Sequence, residues 1–367
     1  MIKTVFRYFH QFRRRELSVA GWGFTRRWRL AGLVIASALV LAAYPTLTQG
    51  AKLKLPMSVP GWTGGGYVAD RSNTFERCSA TKSGGGASLS YAVDRDDRWT
   101  VSLSNPNWNF SKGARQSASL KVADTVPLRA TALAVDKDTL EIQVEDPMLL
   151  FSRMRVANQL RATIGGLSID ISLEGSEEVL SALTQCALRL SRRLQNGKSR
   201  YALFESANPR TAEREEAKKI VSGILSYSRA PDSSISPPAD LAKFPADATW
   251  KAGLASAGLF ILEAAVPISN VTDEIVARAL RACGGGYFYL TRQDVFNGLS
   301  FQRVLSSCQT TDGTTLSYHL IVHRPKSGYY VFTVAASGSS FIKGPFKAAD
   351  EYEAGLRSVL PLVIQNP

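Results

Sequence analysis

Residues 75–91 read FERCSATKSGGGASLSY, and residues 301–318 read FQRVLSSCQTTDGTTLSY. Each opens on Phe-x-Arg, carries a cysteine, passes through a glycine-bearing turn and closes on Leu-Ser-Tyr. Each reads as a strand with a cysteine, a turn and a second strand, the short-range alternation that builds sheets. Two acid-led amphipathic helices add a second echo: EEVLSALTQC ends at Cys186 and DEIVARALRAC ends at Cys283. Each half of the chain thus holds one cysteine on a Phe-x-Arg strand and one at a helix end. The order is strand first in the first half and helix first in the second, which a permuted duplication and chance both produce.

The four cysteines, Cys78, Cys186, Cys283 and Cys308, include no C-x-x-C pair, so zinc sites and thioredoxin-like redox chemistry lack their usual spacing. Four cysteines allow three pairings, among which spacing alone does not choose. The echo favours Cys78–Cys186 and Cys283–Cys308, each tethering a helix end to a sheet.

Working outward from the first echo, residues 57–193 read as a β-rich domain. ASLSYAV (87–93), WTVSLS (99–104), ASLKVA (118–123), LRATALAV (128–135) and TLEIQVE (139–145) are alternating runs separated by turn residues. A helix over 147–157 starts at Pro147 after Asp146, two further strands follow, and Ser176 is the expected cap of a helix over 176–193. The expected fold here is a sandwich or barrel closed by that helix. Residues 194–249 read as a connector, with a helix over 209–228 and then a Pro/Ser-rich stretch, 230–247, suited to an extended spacer. Residues 250–367 form an α+β domain: a strand over 258–266, a helix capped by Thr272 and stopped at Gly284, four strands, and a helix over 349–360. An antiparallel sheet with both helices against one face is expected.

The net charge of +13 over 367 residues is concentrated at the start: residues 1–29 contribute +7. The remaining +6 is diffuse, and no recognition helix or zinc finger accompanies it, so nucleic acid is not an expected partner. LAGLVIASALVLAAY (30–44) follows the basic stretch and contains no charge. A basic cytoplasmic segment over 1–29 and a transmembrane or signal segment over 30–46 are expected, placing the remainder outside the cytoplasm. The expected address is the inner membrane with periplasmic domains, or the periplasm and beyond if that segment is cleaved. An even cysteine count in an exported chain points to two disulfides.

Chemistry is sparse. No G-x-S-x-G motif occurs, and Ser337 and Ser339 sit in a small-residue loop. Past the apolar segment only His319 and His323 remain for histidine-based catalysis. On a strand they share a face with alpha carbons roughly 13 Å apart, too far to chelate one metal, and two half-exposed sheet histidines are expected. The glycine runs 64–66, 84–86 and 284–286 read as turns and caps. Asp94, Asp96 and Asp97 read as a solvated hairpin tip, and Glu177 and Glu178 as a helix start. Trp62, Trp99, Trp108, Tyr287, Tyr289, Tyr329 and Tyr330 divide between core and contact surface.

Over 118–186, LKVAD, LFSRMRVANQLRATI and ISLEGSEEVLSAL resemble the exported invasion-associated locus B family of alphaproteobacteria. The resemblance covers about a fifth of the chain. It implies a periplasmic β-rich module and carries over no catalytic residue. Residues and resemblance together lead to the expectation of a non-enzymatic envelope protein that binds or scaffolds, without cofactor or metal. The competing expectation is a hydrolase with His319 or His323 as base.

Overall fold

Strict alternation makes the strands. In Ala87–Asp94, Ala87, Leu89, Tyr91 and Val93 are buried while the residues between them are half-exposed, as a strand with one face on a core requires. The computed structural model describes residues 51–70, 72–191, 203–204, 210–228, 235–236, 240–241, 244–338 and 344–365. The segments 1–29 and 30–46 lie outside the described residues, as does much of the connector. Among the described residues no helix is long and apolar enough to cross a membrane.

The first half supplies β1 (Ala51–Pro56), β2 (Thr63–Ala69), β3 (Phe75–Gly84), β4 (Ala87–Asp94), β5 (Trp99–Ser104), β6 (Arg115–Val122), β7 (Leu128–Asp136) and β8 (Thr139–Val144). Then come α1 (Pro147–Val156), β9 (Gln159–Ile164), β10 (Leu167–Ser172) and α2 (Ser176–Ser191). These strands form one antiparallel sheet of ten, ordered β1-β2-β3-β4-β5-β8-β7-β6-β9-β10. The expected barrel is not closed, because β1 and β10 remain its two edges. The sheet curls instead: Lys82 of β3 reaches Ser172 of β10 at 3.4 Å and the carbonyl of Glu174 at 2.7 Å.

The second half supplies α3 (Thr211–Ser228), the two-residue β11 (Ile235–Ser236), β12 (Asp240–Leu241) and β13 (Phe244–Pro245), then β14 (Ala248–Ala252) and β15 (Ala255–Leu262). α4 (Ile268–Ala282), β16 (Gly286–Phe296), β17 (Leu299–Thr310), β18 (Gly313–His323), β19 (Tyr329–Gly338) and α5 (Pro345–Gln365) complete it. Seven strands form an antiparallel sheet ordered β11-β14-β15-β19-β18-β17-β16.

Both quoted stretches are therefore hairpins, β3–β4 and β17–β18. The second sheet is covered on two faces, not the expected one. Phe288, Leu320 and Phe332 share a core with α3, α5 and the first half. Tyr287, Val304 and Ile321, on the other face, pack with Val271 and Ile275 of α4 and with Phe204 and Phe244. Burial on both faces explains why β18 and β19 read as near-continuous apolar runs. Leu47–Pro367 forms one compact unit, joined at an aromatic seam where Trp99 lies 5.0 Å and Phe151 6.1 Å from Phe288.

Two helix starts differ from expectation. Thr272 does not cap α4: its hydroxyl donates back to the carbonyl of Ile268 at 3.0 Å, so the helix begins one turn earlier, after Pro267. Ser176 is inside α2, where its hydroxyl faces Tyr91 Oη at 3.2 Å.

The disulfides join Cys78 of β3 to Cys186 of α2, and Cys283 at the end of α4 to Cys308 of β17. The first bears on one member of a glycine run expected as a turn. Gly64–Gly66 lies inside β2, and Gly66 pairs with Cys78. A Cβ on Gly66 would sit 2.8 Å from Cys186 Sγ and 2.4 Å from Leu190 Cδ1, so a side chain there would displace the Leu190 tip and press on the disulfide. The two bridges close loops of 108 and 25 residues, which chain entropy values at about 5 and about 3.5 kcal/mol. Urea unfolding should therefore show a larger loss for Cys78→Ser with Cys186→Ser than for Cys283→Ser with Cys308→Ser. Equal losses would rule out loop entropy as the source.

Candidate functional site

β5 pairs with β8 from Ser104↔Thr139 as far as Val101↔Ile142, and there the ladder stops. One step further, Thr100 and Trp99 still pair with Ala92 and Val93 of β4. Gln143 and Val144 likewise still pair with Thr131 and Ala130 of β7. The sheet is split at this end, with each lip held by its outer neighbour. A cleft of about 260 Å³ occupies the split.

Strand alternation sorts its lining. Val101 and Ile142 are buried toward the core, so Thr100, Glu141 and Gln143 face the opposite side and form a polar mouth. Pro147, Leu150 and Phe151 of α1 close the inner end, beside Trp99, whose indole nitrogen is buried without a partner among the described residues. Arg292 of β16 forms the remaining wall. α1 is aimed by its own N-terminus, where Asp146 Oδ1 accepts from the amide of Leu149 at 3.2 Å and Pro147 opens the first turn.

Behind the cleft lies a buried charge network. Arg292 and Arg303 are cross-strand neighbours on one face of the second sheet, an arrangement that repels unless compensated. Asp294 stands between them, 2.6 Å from Arg292 and 3.1 Å from Arg303. Arg303, 3 % exposed, also makes paired bonds to Glu353 at 3.0 and 3.2 Å and reaches Asp146 at 3.1 Å. Arg357 joins at 3.4 Å from Asp146 and 3.0 Å from Glu353. Three guanidinium groups thus balance three carboxylates. Burial disfavours the charged form of Asp146, but Arg303 and Arg357 outweigh it and hold the carboxyl below its usual range. Burial likewise opposes the Arg303 charge, and Glu353 with Asp146 overcomes it. Nearby, Glu177, expected at a solvated helix start, is half-buried against Arg155 and accepts from Thr314 at 3.3 Å.

The expected site residues fall elsewhere. His319 is buried on the α4 side of the second sheet, with Nδ1 2.9 Å from Thr333 Oγ1 and its ring 5.0 Å from Phe244. Burial pushes its pKa down to about 3, which keeps it neutral. The expectation of two half-exposed histidines is thus corrected, for only His323 is exposed, beside Tyr329 at 4.8 Å. Neither lines the cleft. Among the tryptophans, Trp62 stacks on Tyr91 at 5.1 Å, and Trp99 is the one that lines the cleft.

Sequence reasoning missed Arg292 and Arg303. For Arg303 the signal was present in the Phe-x-Arg motif, because an arginine inside an apolar strand needs buried partners. The two copies use it differently: Arg77 lies over the ring of Tyr67 at 5.4 Å, whereas Arg303 is fully enclosed.

No family model matches the chain, and no curated protein matches it. Among solved structures, the chain is similar to invasion associated protein B from Bartonella henselae, with 14% identity and a TM-score of 0.28. That match covers 38% of this chain and 99% of the other. It is a weak structural resemblance only.

Removing Arg303 leaves three carboxylates to share two guanidinium groups, those of Arg292 and Arg357. Arg303→Met should lower stability by about 3–5 kcal/mol, whereas Arg161→Met, at an exposed pair with Asp170, should leave the urea midpoint nearly unchanged. A small loss for Arg303→Met would remove the network from its structural role.

Asp350 of α5 adds a pH dependence. It accepts a hydrogen bond from Tyr318, and burial pushes its carboxyl up to about 7, with that hydrogen bond and Arg153 opposing and Glu353 and Asp146 adding to the rise. The folded state therefore keeps a proton that the unfolded chain, at its ordinary value of 3.8, releases. This contribution to stability is complete below about pH 4 and is lost as pH rises through about 7. Asp350→Asn should gain on the wild type between pH 5 and pH 8 in thermal melts; parallel profiles would contradict it.

Proposed function

We propose that this protein is a membrane-tethered or secreted extracytoplasmic binding or scaffolding protein of the bacterial cell envelope, and that it performs no catalysis. The pairing of all four cysteines carries the reading. Structural disulfides persist in oxidising compartments and are rare in a reducing cytosol. The basic stretch before the apolar run at 30–44 supports the same placement, since positive charge stays on the cytoplasmic side.

A binding role rests on the cleft at the seam, which combines apolar walls with a few polar groups, the usual composition of a ligand site. A binder is favoured over a hydrolase because neither His319 nor His323 lines that cleft.

Fractionation of tagged cells with thiol labelling before reduction tests the placement. The expected result is protein in the membrane or periplasmic fraction, no label without reductant, and two cystine peptides matching the pairs above. Cytosolic protein with four labelled thiols would sink the proposal.

A further inference from the structure

The split between β5 and β8 leaves two strand edges facing each other across an open slot. Trp99–Thr100 and Gln143–Val144 are paired only on their outer sides, so each lip presents main-chain N–H and C=O groups to whatever enters. Unpaired strand edges are the usual template for an added extended chain. Inside the slot the walls are apolar, with Trp99, Val101, Leu150 and Phe151. At about 260 Å³ the space lies just under the range of small-molecule pockets, roughly 300–1,000 Å³. It suits one bulky side chain with its adjoining backbone.

Arg292, whose charge Asp294 balances, adds a hydrogen-bonding preference. Its Nε is committed to Asp294 and its Nη1 to the carbonyl of Glu145, while Nη2 has no partner among the described residues. A guanidinium held by two neighbours with donors to spare is a preorganised carboxylate receptor. Glu141 and Gln143, without side-chain partners among the described residues, line the mouth; Glu141 disfavours acidic residues just before the one that enters.

We propose that this slot captures the free C-terminal end of a polypeptide whose last residue is bulky and apolar. The last side chain packs on Trp99 and Phe151, the backbone pairs with a lip of the split, and the terminal carboxylate meets Arg292. The inference rests on the binding reading above and names its ligand class.

The test uses the purified full chain in lipid nanodiscs, titrated calorimetrically with Ac-Gly-Gly-Gly-Gly-Leu as free acid, the same peptide as carboxamide, and free leucine. The acid is expected to bind, the carboxamide about ten- to hundredfold more weakly, and free leucine more weakly than the acid. Arg292→Gln should abolish the difference between acid and amide, while Arg292→Lys retains part of it. Thr100→Trp and Gln143→Trp, which narrow the mouth from opposite lips, should each abolish binding. Two such variants keep the test decisive if one fails to fold. Equal affinity for acid and amide, leucine binding as tightly as the peptide, undiminished binding in the folded mouth variants, or no saturation by about 1 mM peptide would each overturn the proposal. Those failures would leave the envelope placement standing, because fractionation and cystine mapping decide that separately.

Discussion

The guanidinium of Arg303 lies inside the molecule and is shared by carboxylates from three distant parts of the chain: Asp146 before α1, Asp294 on the neighbouring strand and Glu353 on α5. An arginine with 3 % exposure is tolerable only while its partners stay in place. Much else follows from holding them there. Asp146 caps α1, so fixing it fixes Phe151, which meets Trp99 and Phe288 at the seam. Asp294 also holds Arg292, so the wall of the cleft is positioned by the same group of charges. The network therefore ties the first half of the chain to the second and shapes the opening between them.

The two disulfides act at the outer ends of this arrangement. Cys78–Cys186 presses α2 onto β2 and β3, and the closeness of that approach leaves Gly66 no room for a side chain. Cys283–Cys308 anchors the end of α4 to the second sheet on the face that buries His319. Each bridge joins a helix to a sheet, and neither crosses the seam. Apolar packing, the Arg303 network and the Glu177 contacts to Arg155 and Thr314 hold the seam instead. Such polar contacts respond to pH and to desolvation, which a covalent bridge does not.

The strands were legible because their cause is local. Alternation in ASLSYAV, WTVSLS and TLEIQVE marks β4, β5 and β8 within a residue or two of their bounds. The cysteines that pair were legible from the repeated strand and helix-end positions. Helix starts were less so. Thr272 carries a capping side chain, yet its hydroxyl serves equally well inside a helix by bonding back to Ile268. The histidines were misjudged for a related reason: the HLIVH spacing puts both on one strand face, but only α4 and Phe244, brought in from elsewhere, bury one and leave the other exposed.

By itself, the order of residues determined which segments form strands and helices, which cysteines stand in equivalent places and where charge is concentrated. These properties depend on neighbours within a few positions, where backbone geometry sets the period. Tertiary structure alone decided that β5 pairs with β8 and then parts from it, that Arg292 faces the resulting cleft, and that Arg303 finds three acids. Those outcomes depend on which distant surfaces meet, and a strand's pattern of apolar residues is the same whichever partner lies beside it.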